Sequence, residues 1–287
     1  MSRIALGIEY DGSRFSGWQT QSHVRSVQAC VEEAVTRVAN VRVDVVCAGR
    51  TDAGVHATEQ VAHFDTDAIR EMRSWLMGIN SNLPEDIRIL WARETDQAFH
   101  ARYCAIARLY RYVILNRPVR SALQPRQATW CFHPLDEARM QAGAAHLIGE
   151  HDFSSFRAQG CQSNSPWRIL HFIRVSRQED RIFLDVCGNA FLHHMVRNIA
   201  GVLMEVGRGK REPEWVGDLL MARDRSQGAV TAPPEGLYLS GILYPAEFEM
   251  ARHALFDLLP EGTKRPVSQA SLLSTNTPDV SLYANSR

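Results

Sequence analysis

One pattern of secondary-structure elements occurs twice along this chain of 287 residues, and the duplication limits the fold more than any other feature. The first copy opens with RIALGIEY (3–10), which reads as a strand. In 26–40, Val27, Cys30, Val31, Ala34, Val35 and Val38 share one helical face, with Ser26 placed as N-cap. VDVVCAG (43–49) and TEQVAHFDT (58–66) read as strands. A helix over 67–79 turns Ile69, Met72, Leu76 and Ile79 inward, and IRILWARE (87–94) closes the set. The second copy runs through RLYRYVIL (108–115), a helix over 135–148, the strands 168–177 and 181–189, a helix over 190–206, a short helix over 213–223 and LYLSGILY (237–244). Both read βαββαβ. The expected fold is α+β: two ferredoxin-like halves joined into one mixed, mostly antiparallel sheet, with helices on one face and an open catalytic cleft at the join. The expected boundaries are 1–104 and 105–261, followed by a polar, aperiodic tail, 262–287, that reads as disordered.

A content of 45% hydrophobic and 22% charged residues supports an ordinary core. The start, MSRIALGIEYDG, lacks the features of a secretory signal, and no apolar run reaches bilayer length, so a cytoplasmic protein without a membrane anchor is expected. Six scattered cysteines without a CxxC pair give no zinc spacing and no disulfide framework. His193 and His194 are adjacent, and neighbours in sequence point apart on regular elements, so they read as a poor chelate. No metal is expected.

Net charge is zero, yet three windows hold no Asp or Glu. Residues 97–135 carry Arg102, Arg108, Arg111, Arg117, Arg120 and Arg126; 153–178 carry Arg157, Arg168, Arg174 and Arg177; 12–31 carry Arg14 and Arg25. Of 32 basic residues only Lys210 and Lys264 are lysine. Arginine forks onto phosphate and stacks on bases, so a local basic face suited to RNA is expected.

Three stretches carry candidate chemistry. AGRTDAGVHA (48–57) sets Arg50 and Asp52 on one side of an extended segment between glycines that permit close approach. RLYRYVIL projects Tyr110 and Tyr112 to one face, a platform on which a base could stack. NAFLHHMVRNIAG places Arg197 among apolar residues, where a buried cation needs an anion, and Asp52 from the other half fits.

Together YDGSRFSGWQTQ, AGRTDAGVHA, FHARYCA with RLYRYVI, DFSSFR, NAFLHHMVRNIAG and EGLYL resemble the tRNA pseudouridine synthase A family, in order from about residue 4 to about residue 245. The resemblance implies a cofactor-free cytosolic homodimer that isomerises uridines at tRNA positions 38–40, in the anticodon stem-loop. It implies Asp52 as catalytic aspartate, Arg197 as its partner, Tyr110 stacked on the target uracil, Arg50 holding the flipped nucleotide and Leu237 lining the uracil pocket. Arg102, Arg108 and Arg14, from the acid-free windows, are expected to meet the RNA.

The chemistry accounts for these types. The N1–C1′ bond breaks, the uracil turns, and C5 joins C1′; a carboxylate near C1′ can add to the sugar or accept the C2′ proton. Arg197 would fix its charge and direction. The detached uracil needs a stacked apolar pocket, and the C5 proton can leave to Tyr110 or to water. Extruding the base costs a few kcal/mol, or about that order, part of which an inserted Arg50 could offset. A non-catalytic RNA-binding protein with two RNA-recognition-like modules would explain the halves but not the Asp–Arg pairing. A nucleoside hydrolase normally uses two carboxylates, and these stretches offer one.

Overall fold

Ser2–Tyr10 forms β1, flanked by antiparallel β3 (His56–Thr66) and β4 (Ile87–Thr95). Between them run α1 (Val27–Ala39), whose Ser26 cap accepts from the Ala29 N–H, and α2 (Met72–Asn82). A very short β2 (Val46–Cys47) pairs with β3 on its other edge, giving the order β4-β1-β3-β2. The second copy consists of β5 (Ala107–Asn116), α3 (Glu137–Ala145), β8 (Trp167–Gln178), β9 (Arg181–Gly188), α4 (Met195–Gly207), α5 (Trp215–Ala222) and β10 (Leu237–Leu243). Its order is β10-β5-β9-β8, the same ferredoxin-like arrangement. Two further strands, β6 (Thr129–Cys131) beside β5 and β7 (Gly149–Asp152) beside β8, complete a ten-stranded mixed sheet. The structure is a computed structural model and describes residues 1–250 and 253–259; the expected tail lies outside the described residues.

The halves meet where β10 pairs in parallel with β3, Tyr238 opposite His56 and Leu239 opposite Ala57. β2 pairs further along the same edge, at Ala62 and His63, and its two-residue length leaves the start of β3 free for β10. A single buried core runs through both halves, from Ile4 and Trp75 to Ile199 and Leu239.

Several local expectations change. Helix α4 starts at Met195 rather than near residue 190, because His194 adopts a left-handed backbone (φ 60°) and the Asn189 side chain accepts from the Ile169 and Ala190 N–H groups. Ile69 is 92% exposed, since α2 begins only after Glu71. The expected strand over 43–49 shrinks to β2. The face away from the helices is partly covered: Phe256 packs on Ala107, Leu109 and Cys187, and Ala128 packs on Val113 and Leu115. Tyr110, Tyr112 and Ile114 project to the helix-bearing side, into the main core, so the expected stacking platform faces the helices rather than the opposite side of the sheet.

The YDGSRFSGWQ segment buttresses the loop before β3. The Trp18 N–H donates to the Thr51 carbonyl (3.0 Å), the Gly54 N–H to that of Phe15 (3.2 Å), and Tyr10 Oη meets Thr51 Oγ1 at 2.7 Å. Gly17 has φ +97° and a Cβ there would sit 2.7 Å from the Thr51 carbonyl oxygen. Gly17→Ala combines backbone strain with a clash, and is expected to cost about 2 kcal/mol in thermal or denaturant unfolding. An unchanged melting temperature would show that the segment is not a tight buttress.

His63, on β3, accepts the Ala101 N–H at Nδ1 (3.2 Å) and so holds the 96–104 loop. Burial, then the nearby His100 ring and the Arg3 cation, push its pKa down to about 4. The unfolded chain therefore takes up a proton near pH 6.5 that the native imidazole refuses. Its contribution is whole above that pH and is lost as pH falls towards about 4, an interval worth about 3 kcal/mol. His63→Asn, which keeps an acceptor for Ala101, is expected to flatten the fall in stability over that interval; parallel curves for the two proteins would contradict it.

Candidate active site

The loop between β2 and β3 is clamped at alternate residues. Gly49 donates to Gln60 Oε1 (3.3 Å) and accepts from Gln60 Nε2 (2.6 Å), while Thr51 is held by Tyr10 and Trp18. Fixing residues 49 and 51 inward turns Arg50 and Asp52 outward together, as the extended pattern predicts. Arg50 is exposed, with no hydrogen bond or ion pair among the described residues.

Asp52 is met from the other half. Arg197 Nη1 lies 3.6 Å from Oδ2, His194 Nε2 lies 3.5 Å from Oδ2, and His193 Nε2 lies 3.4 Å from Oδ1. The Asp52 side chain is 24% exposed and that of Arg197 is 13% exposed, so the pair is only partly open to solvent. Arg197 is aimed by donating Nε–H to the Ala232 carbonyl (2.9 Å), and Ala232 N–H returns a bond to the Arg197 carbonyl (3.1 Å). Asn198, Arg225 and Thr231 tie the 225–232 segment to α4 one residue further on.

The paired histidines correct the expectation that they diverge. The left-handed turn at His194 folds the two rings together, with centroids 3.9 Å apart, and directs both Nε2 atoms at one carboxylate. These three ligand atoms lie within 4.8 Å of one another, a spacing that a divalent ion could bridge. Arg197 disfavours a dication there, and the arrangement reads better as a carboxylate among donors. Burial holds the His194 imidazole below the usual range, helped by Arg197 and His193 against the pull of Asp52. It is therefore neutral at neutral pH.

Tyr110 forms the floor. Its hydroxyl would lie 3.8 Å from a Cβ on Gly49, and its ring meets Phe191 edge-on with centroids 4.9 Å apart. Burial pushes the phenol pKa up, so it stays protonated at neutral pH. Leu239 stands directly opposite Tyr110, whereas Leu237 is two pairs along, opposite Tyr112, on the same face. Phe191, His193 and His194 all belong to the motif that supplied Arg197, but only a cation among apolar neighbours gave a sequence-level reason to choose one of its members.

The arginines divide sharply. Arg102 is exposed and Arg14 is held only by Glu85 at 3.3 Å on the surface, so both remain available to an anion. Arg108 is not. It is 7% exposed, and among the described residues its hydrogen bonds all go to backbone carbonyls, which removes it from the expected RNA face. Arg111 lies on the opposite face in a two-point pair with Asp185 (2.6 and 2.9 Å). Arg25 pairs with Asp86, Arg117 with Asp180 and Arg177 with Glu137. The acid-free windows are thus neutralised in part by acids from distant segments, and the expected broad basic face shrinks to a few residues.

Among the described residues no helix is long and apolar enough to cross a membrane. The family model described as tRNA pseudouridine synthase matches residues 7–104 and 144–245. A tRNA pseudouridine synthase A of Methylococcus capsulatus is 65% identical over 92% of this chain and 97% of its own. One of Nitrosococcus oceani is 56% identical, over 87% of this chain and 96% of its own, and one of Coxiella burnetii is 54% identical, over 89% and 98%. With the model matched on both sides of the join and relatives alike over nearly their whole length, this chain belongs to the tRNA pseudouridine synthase family.

Proposed function

We propose that this chain isomerises uridine to pseudouridine at positions 38–40 of the tRNA anticodon stem-loop, without a cofactor and as a cytoplasmic homodimer. Membership of the family supports uridine isomerisation in tRNA; the observation that carries the reading to atoms is the single carboxylate, Asp52, met by His193, His194 and Arg197 across the join. A purely RNA-binding pair of modules gives no reason for such a ring. The working division remains 1–104 for the half that brings Asp52 and 105–261 for the half that brings its partners.

In this reading Arg50 enters the space left by the extruded nucleotide, and Arg102 and Arg14 meet phosphates. The uracil lies over Tyr110 beside Leu239 and Leu237. Asp52 either bonds to C1′ as N1 leaves or takes the C2′ proton; both routes need one carboxylate oxygen aimed at the ribose. His193, His194 and Arg197 hold that aim, and their contacts of 3.4–3.6 Å tighten once RNA excludes water. The freed uracil turns in its stack until C5 bonds to C1′, displacing the Asp52 oxygen in the first route or with Asp52 returning the C2′ proton in the second; the C5 proton then passes to water as N1 takes one up. Because the Tyr110 phenol is held protonated, its ring rather than its oxygen is assigned the main role.

Asp52→Asn is expected to bind a tRNA anticodon stem-loop normally while its single-turnover rate falls by far more than tenfold, about 1.4 kcal/mol in barrier. A rate within that tenfold would remove Asp52 from the chemistry. Tyr110→Phe should keep most of the rate and Tyr110→Ala should lose it, because only the second removes the stacking ring; an active Ala variant would exclude Tyr110 from the pocket.

A further inference from the structure

Arg108 is a fully buried cation with no carboxylate within ion-pair distance among the described residues. A charge in that position costs several kcal/mol, or about that order, unless dipoles replace its water. Four backbone carbonyls do so here. Nη1 donates to Asn189 (2.7 Å) and Ala105 (3.4 Å), and Nη2 donates to Arg102 (2.8 Å) and Ala48 (3.1 Å). Burial still pushes its pKa below the ordinary guanidinium range. A methionine would fill most of the space without that penalty, so packing alone does not account for an arginine.

The four acceptors belong to segments that have little else in common. Ala48 begins the loop that ends in Asp52. Asn189 begins the turn that carries His193, His194 and then Arg197. Arg102 belongs to the 96–104 loop and offers its own cation at the surface. Arg108 itself lies on β5, two residues before Tyr110 and on the same face. One planar fork thus joins the carboxylate loop of one half, the turn bearing its partners from the other, and the stacking floor. Asn189 is fixed in turn by bonds to both backbone groups of Ile169, so the far end of this strut does not drift.

We propose that Arg108 is a positioning residue that sets the separation between Asp52 and the His193–His194–Arg197 turn, so that its loss slows isomerisation while leaving RNA binding intact. The proposal rests on the reading that Asp52 performs the chemistry. Lysine cannot replace it, because one ammonium lacks the fork that reaches Asn189 and Ala48 together.

The test compares Arg108→Ala, Arg108→Lys and Asp52→Asn with the parent protein, using an anticodon stem-loop RNA. Binding affinity, melting temperature and single-turnover rate are measured with and without millimolar guanidinium. Arg108→Ala is expected to bind within about threefold of the parent and to react about a hundredfold more slowly, the scale of a small misplacement of reacting groups. Added guanidinium should fill the vacated site and restore roughly tenfold of that loss without altering binding. Arg108→Lys should also be slow, but without rescue, since its side chain occupies the space. That variant decides the matter if the alanine protein does not fold. A parent-like rate in either variant, or a slow, folded alanine variant that guanidinium leaves unchanged, overturns the proposal. If Asp52→Asn stays active, the underlying assignment fails instead, and the two failures are separately visible.

Discussion

The site depends on a very short strand. Two residue pairs, Tyr238 with His56 and Leu239 with Ala57, join two sheets that would otherwise be separate ferredoxin-like units. They can form because β2 ends after Cys47 and leaves the first residues of β3 unpaired on that edge. The segment released by the short strand is the 48–55 loop, which must leave the sheet at the point where β10 and β5 arrive. Asp52 therefore faces the second half as a consequence of sheet closure. The stacking of His56 on Tyr238, with centroids 4.7 Å apart, and the covering of the sheet's other face add apolar contact at the same seam.

Electrostatics then divides labour among arginines. Those whose guanidinium meets Asp or Glu from another segment hold elements together, as Arg111 does with Asp185 and Arg25 with Asp86. Those on carbonyls, Arg108 and the Nε of Arg197, fix loop geometry. Others among the described residues, including Arg50 and Arg102, are left to the solvent. Zero net charge and an anionic substrate are compatible because recognition needs a few free cations in the right place rather than a net positive protein.

The periodicity of the sequence was enough for the architecture, since burial on one face forces apolar residues into helical or alternating spacing whatever the tertiary partners. It failed where backbone geometry departs from a regular element. Ile69 and residues 190–194 fit a helical face by pattern, but the helix starts later in both places, and at His194 a left-handed residue decides it. The pairing of Asp52 with Arg197 was legible because a cation among apolar neighbours needs an anion, and the shared face of Tyr110 and Tyr112 because strand residues two apart point the same way. The histidine pair left none: its convergence on Asp52 exists only after that turn forms. Likewise, no window of sequence shows that Asp185 or Asp86 will neutralise an arginine more than sixty residues away.

Mapping pseudouridine in an unmodified tRNA transcript after incubation with the purified protein reads the isomerisation itself. Uridines at positions 38–40 are expected to become pseudouridine, with the mass of the RNA unchanged and no free uracil released. Unmodified uridines at those positions under conditions where the RNA is bound, or loss of the base in place of its reattachment, would contradict it.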